Sequence, residues 1–249
     1  MGRPRSILIT GSGSGIGAAI AQKLAETDVG IVLHALENQV GCERVAENVM
    51  AAGGNAVISL GDLSDPTIAE GLVQTAIEHF GGLDVLIANA GFPEPKLFGD
   101  LERADLDRCY QVITAGFFHM ATVALPYLKQ SPAGRIVAIS TLNAHVFRGD
   151  YPVYPASASA KAGLEALVRS LAVQLGPNSV TVNAVAPGPV WTPLIPSTIP
   201  DHEKFGDNTP IGRPGQPAEI APVYVFLASA AASYVSGATI PATGGRITI

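Results

Sequence analysis

Charge is scarce in this chain. Lysine, arginine, aspartate and glutamate make up 14% of its 249 residues, and the formal net charge is -6. An apolar content of 47% excludes a disordered chain, and the acidic balance gives no footing for nucleic acid. Cysteine is nearly absent. Cys42 and Cys109 stand far apart, which excludes a disulfide framework and a metal site built on cysteine spacing; a reducing cytoplasm is the expected location. No continuous apolar run reaches membrane-spanning length, and no signal-type apolar segment precedes the first glycines. Internal repeats, low-complexity tracts and linkers are also missing, so residues 1–249 read as one domain.

What is present is alternation. Short β-branched runs at 6–10, 30–35, 56–60, 85–89, 135–140, 179–186 and 239–242 are separated by helical stretches at 15–26, 39–52, 68–80, 106–128, 159–175 and 218–228. Strands apolar on both faces, spaced by helices of more than ten residues, predict an α/β Rossmann fold. Its seven-stranded, mostly parallel sheet is doubly wound, with helices on both faces and right-handed crossovers. The densest proline and glycine region, 187–217, reads as a long excursion with a substrate lid at about 189–210.

The strongest motif is Thr10-Gly11-Ser12-Gly13-Ser14-Gly15-Ile16-Gly17, directly after the first strand and opening the first helix. Glycine lets a pyrophosphate approach the backbone, and a helix start offers free N–H groups and a positive dipole end. No lysine follows as a nucleoside-triphosphate loop requires. The plain alternative is a tight turn.

This motif resembles the cofactor fingerprint of the short-chain dehydrogenase/reductase family, and the resemblance continues in order along nearly the whole chain. Asp62-Leu63 looks like the family's adenine-contacting pair. Asn89-Ala90-Gly91 looks like its Asn-Ala-Gly turn, and Pro187-Gly188 with Val190 and Thr192 like its nicotinamide-side segment. Within the family it resembles 3-oxoacyl-ACP-reductase-like members. The resemblance implies NAD or NADP as cofactor, a small carbonyl or alcohol substrate, and a homotetramer or homodimer built on the long helices 106–128 and 159–175. It gives no membrane or nucleic-acid partner. Coenzyme choice falls to the end of the second strand, where a carboxylate holds a ribose 2′-hydroxyl and a cation holds a 2′-phosphate. Ala35 and Leu36 occupy the deciding positions, and Glu37 is the acidic side chain within reach, so the expectation leans slightly to NAD.

The family's chemistry uses a tyrosine acid, a lysine four residues later, a serine that holds the carbonyl and an asparagine that completes a proton relay. Lys161 matches the lysine, but four residues before it stands Ser157. Tyr154 is seven residues before Lys161, and its distance from Thr141 fits the family's serine-to-tyrosine interval. On a regular helix seven residues rise about 10 Å, one turn too many. A loop or bulge in 155–160 that delivers Tyr154 is the favoured reading; Tyr151 is a second candidate, and loss of the acid at Ser157 stays open. Thr141, with Ser140 beside it, takes the serine's place. Ile113 stands where the relay asparagine belongs, with Thr114 adjacent. His145 is near the expected mouth, as a proton-transfer helper or as an ordinary surface histidine. Phe92, Phe147, Trp191 and Leu194 are expected to make that mouth apolar.

The leading expectation is therefore an NAD(P)-dependent interconversion of a ketone and a secondary alcohol. A dinucleotide-binding relative with impaired catalysis is the alternative. A halohydrin-dehalogenase-like lyase is a further one, disfavoured by the intact glycine loop.

Overall fold

Among the described residues, seven short apolar strands form one sheet. They are β1 (Arg5–Ile9), β2 (Val29–Ala35), β3 (Asn55–Leu60), β4 (Val85–Ala88), β5 (Arg135–Ile139), β6 (Thr181–Pro187) and β7 (Thr239–Ala242). This computed structural model describes residues 3–195 and 205–247. The strand order is β3-β2-β1-β4-β5-β6-β7 and every pairing is parallel. The expected fold is present, with the sheet wholly rather than mostly parallel.

Parallel neighbours need crossovers, and helices supply them. They are α1 (Gly15–Leu24), α2 (Gln39–Ala51), α3 (Pro66–Phe80), α4 (Arg103–Cys109), α5 (Gly116–Gln130), α6 (Pro155–Leu175) and α7 (Pro217–Ala228). Local chemistry sets their ends. Asp65 caps α3 by accepting from the Thr67 N–H, Pro66 takes the first turn, and Gly81 closes the helix at φ +75°. In α1 the buried residues Gly17, Ile20, Ala21 and Leu24 share one face, as a helix covering a sheet requires.

The two faces of the sheet make two cores. Leu8, Leu86 and Ile136 point into one, with α3, α5 and α6. Ile7, Ile9, Ile31 and Ile87 point into the other, with α1, α2 and α7. Each such fully buried side chain contributes about 1.5–3 kcal/mol relative to exposure.

A π-helical segment, Tyr110–Ala115, joins α4 to α5 without a break. The resulting helix, Arg103–Gln130, has the length and apolarity to cross a membrane. Its inward residues Cys109, Ile113, Phe117, Met120 and Ala124 belong to the core, which makes it a core helix of this domain. After β6 the chain leaves the sheet, and Val190 bridges back to Gly215. Of the expected lid, positions 196–204 lie outside the described residues.

The strand order reverses between β1 and β4. Open α/β sheets leave a crevice at such a point, at the C-terminal strand ends, and the candidate site occupies it.

Candidate active site

Thr10 ties the two diverging strands together. Its hydroxyl accepts from the N–H groups of Asn89 and Ala90, each at 3.0 Å. The Asn89 amide donates back to the carbonyls of Thr10 and Gly11 at 3.1 and 3.0 Å. A cleft opens beside this knot, with Gly11, Ser14, Gly15, Ile16, Asn89, Ala90 and Gly91 in its wall. Ser14 precedes α1 in extended conformation without capping it, and the first turn of α1 holds no acidic residue. The first N–H groups and the positive dipole end are left for an anion. Gly11 and Gly15 have φ of +64° and +55°, which glycine adopts without strain. Among the described residues the buried Asn89 Oδ1 has no partner. An orphaned acceptor in a glycine-lined cleft at a helix start fits a dinucleotide.

Gly17 plays a different part from the one expected. It does not line the cleft; a Cβ there would stand 2.2 Å from the Gly11 carbonyl oxygen and 2.6 Å from the Asn89 amide. It is the packing glycine that lets α1 press against the loop.

Glu37 is also displaced from its expected place. The wall at the end of β2 is made by His34, Ala35, Leu36 and Asn38, and Glu37 is exposed outside it. Asn38 is the reason. It caps α2 by accepting from the Gly41 N–H at 3.0 Å and donates to the Gly13 carbonyl at 3.2 Å, so its neighbour turns to solvent. His34 is buried, accepts from the Gly11 N–H through Nδ1 at 3.3 Å and donates from Nε2 to the Gly61 carbonyl at 2.9 Å. Burial pushes its pKa down, so the ring is neutral.

At the far end of the cleft, Asp62 and Leu63 line the wall as expected. Arg108, which nothing in the sequence singled out, joins them and pairs with both Asp62 oxygens, at 3.0 and 2.8 Å. This pairing holds the Asp62 carboxyl at about 2.

The inner end of the cleft runs into a cavity lined by Ser140, Thr141, Tyr151, Tyr154, Ser157 and Lys161, with Pro187, Gly188, Val190 and Thr192 on the opposite wall. Ile16, Asn89, Gly91 and Thr192 belong to both spaces. Lys161 is buried, donates to the Ile139 carbonyl at 2.7 Å, and has its pKa pushed down to about 7 by burial. A Cβ on Gly91 would lie 3.2 Å from its ammonium, so the lysine end would have to shift slightly to admit one.

Residues 155–161 form regular helix, so no bulge separates Tyr154 from Lys161. The helix begins at Pro155, whose missing N–H costs nothing in a first turn. Ser157 therefore stands one turn before Lys161, and Tyr154 sits just ahead of the helix in left-handed conformation, φ +45° and ψ +60°. That conformation costs a bulky residue about 1–3 kcal/mol and is found where surroundings impose it. Asn143, also unnoticed in the sequence, is one such constraint. Its amide donates to the carbonyls of Pro152 and Val153 at 2.7 and 2.8 Å. Tyr151 packs under the Arg246 guanidinium at 5.2 Å and beside Phe205. Burial, then the neighbouring Tyr154, push its pKa up.

Ile113 is buried beside Gly91, and the Thr114 hydroxyl is directed to the Ala160 carbonyl at 2.8 Å, away from the cavity. Ser140 bonds to the buried Glu165, whose same oxygen lies 2.8 Å from His145 Nε2. Phe92 and Leu194 line the mouth; Phe147 is exposed off the cavity, and Trp191 packs on Phe205 from outside the wall.

The model of the family described as enoyl-(acyl carrier protein) reductase matches residues 11–246. The uncharacterized oxidoreductase YhdF of Bacillus subtilis (strain 168) is 36% identical over 96% of this chain and 82% of its own length. The 7alpha-hydroxysteroid dehydrogenase of Escherichia coli (strain K12) is 35% identical over 96% of this chain and 93% of its own. A solved short-chain type dehydrogenase/reductase from Mycobacterium marinum superposes with a TM-score of 0.92 at 28% identity, covering 98% of this chain and 96% of that one.

Proposed function

Because the chain belongs to the short-chain dehydrogenase/reductase family, whose members are NAD(P)-dependent oxidoreductases, we propose that it interconverts a small apolar ketone and its secondary alcohol. The observation that carries this reading is the continuity of the two spaces. A glycine-walled dinucleotide cleft opens into an apolar cavity whose polar groups include Ser140, Thr141, Tyr151, Tyr154, Ser157 and Lys161.

A bound nicotinamide dinucleotide supplies or accepts the hydride. Gly11, Ser14, Gly15 and Ile16 hold its phosphates against the start of α1. Asp62 and Leu63 hold the adenine end, and Asn89, Ala90 and Gly91 run beneath its middle. Pro187, Gly188, Val190 and Thr192 hold the nicotinamide side. The end of β2 offers neither a carboxylate against a 2′-phosphate nor a cation unclaimed by a partner, since Arg108 is held by Asp62. Both NAD and NADP are therefore accepted.

Thr141 holds the substrate oxygen, Tyr154 gives it a proton, and the Lys161 charge favours the tyrosinate left behind. The left-handed backbone at Tyr154 supports this role, as strain held in place at a cavity wall. Exposed Phe118 on α5 and Tyr110 beside it support a homodimer or homotetramer through this face. Ser157 one turn before Lys161 favours a second reading, a dinucleotide-binding protein that turns over slowly or not at all.

Calorimetric titration with NADH and NADPH, followed by reduction of cyclohexanone and acetophenone, separates the two readings. Binding with turnover carries the first, and binding without turnover carries the second. Absence of binding removes both.

A further inference from the structure

We propose that Ser140, Glu165 and His145 form a proton path between the cavity and solvent. Glu165 lies four residues beyond Lys161 on α6, so both occupy one buried face. It is only 4% exposed. A carboxylate buried to that degree requires partners, and two of them meet on one of its oxygens. Ser140, at the end of β5, bonds to Oε1 and lines the cavity. His145, in the turn that follows, reaches the same Oε1 at 2.8 Å, with a third of its side chain exposed. Arg169, one further turn along α6, lies 3.5 Å from Oε2. Lys161 is turned away to the Ile139 carbonyl.

The path rests on the ketone–alcohol reading above, because that reaction moves a proton as well as a hydride. During reduction the substrate oxygen gains a proton that must be replaced from water. His145 as imidazolium gives its Nε2 proton to Oε1 of Glu165. Ser140, whose hydroxyl donates to Oε1 at rest, turns that hydroxyl into the cavity, receives the Glu165 proton on Oγ and passes its own either to the substrate oxygen or to the phenolate that protonated it. His145 then takes a proton from water. Each group ends as it began, and one proton has moved inward; oxidation runs the sequence backwards. Both hydrogen bonds end on one carboxylate oxygen, so no rotation of the carboxyl group is needed between them. On the Lys161 side, buried Ile113 beside Gly91 fills the space with hydrocarbon.

Glu165 and His145 act through Ser140 and never touch substrate, so the test needs a readout that a packing role would not move. That readout is turnover of cyclohexanone with NADH or NADPH, with and without added imidazole. His145→Ala and Glu165→Gln are each expected to lose about tenfold to a hundredfold, with coenzyme Kd unchanged within twofold. Added imidazole is expected to restore His145→Ala, because the vacated position faces water. Wild-type turnover in both variants overturns the path, as does a His145→Ala loss that imidazole leaves untouched. If Glu165→Gln fails to fold, the His145→Ala rescue decides alone. Coenzyme binding by wild type without any turnover overturns the ketone–alcohol reading itself, and the path with it.

Discussion

Ser157 and Lys161 are separated by one regular turn of α6, and both side chains open into the same cavity. Tyr154 reaches that cavity from just outside the helix, held by a backbone twist rather than by helical register. The proposed division of labour can be taken apart residue by residue. Tyr154→Phe is expected to lower turnover about 10²- to 10⁴-fold with coenzyme affinity intact. Ser157→Ala is expected to change it less than about threefold, well short of a lost proton donor. Turnover that survives Tyr154→Phe and falls with Tyr151→Phe would move the acid to Tyr151.

Coenzyme choice provides a second test. With Glu37 outside the wall and Arg108 held by Asp62, the calorimetric Kd values for NADH and NADPH are expected to agree within about tenfold, or 1.4 kcal/mol. Glu37→Gln is expected to leave both within about twofold, a few tenths of a kcal/mol. A large NADPH gain in that variant would bring Glu37 back to the ribose.

Lys161 makes stability depend on pH in a definite direction. Burial lowers its pKa from 10.5 to about 7, so between those values the unfolded chain holds a proton the folded protein lacks. Stability of the coenzyme-free protein therefore rises with pH across that window. Below about pH 7 the folded state carries the whole cost of the buried ammonium. Lys161→Met removes that cost. Its thermal midpoint is expected to exceed wild type by about 5 °C at pH 6, with the margin shrinking towards pH 10. Equal midpoints at pH 6 would mean that the Ile139 carbonyl fully compensates the charge.

Gly17 offers a test of packing against contact. An added methyl would meet the Gly11 carbonyl at 2.2 Å, and backbone has little room to give. Gly17→Ala is expected to cost about 1–3 kcal/mol in chemical denaturation, and to weaken both coenzymes equally by displacing the loop. Unchanged stability with weakened binding would return Gly17 to direct contact with the ligand.

The sequence carried the parts of this site that depend on local geometry. The glycines after β1, the Asn89-Ala90-Gly91 turn and Lys161 could be found because strand, turn and helix follow one another within a few residues. Glu37 was misplaced because the turn is governed by Asn38, whose bonds reach Gly13 and Gly41. The Tyr154 region defeated counting for a related reason. Three extra residues before Lys161 lengthen the helix at its start instead of bulging it, and Pro155 in the first turn permits either outcome. Asn143 and Glu165 were not legible as site residues. Asn143 acts on backbone carbonyls nine and ten residues away, and Glu165 on a serine 25 residues away. Helical spacing from Lys161 was the one available hint for Glu165.

The π segment Tyr110–Ala115 divides the long helix into two phases. Ahead of it Arg108 faces the dinucleotide cleft and Cys109 the hydrophobic interior; beyond it Phe117 and Met120 face that same interior. A wider turn absorbs a residue that an ordinary helix would answer with a swing of about 100° in everything downstream. The two halves are thus geared separately, and substitutions that retune the ligand end need not be matched by repacking at the other. Deleting a single residue within 110–115 would lock the gears together, forcing the protein to choose which half keeps its aim.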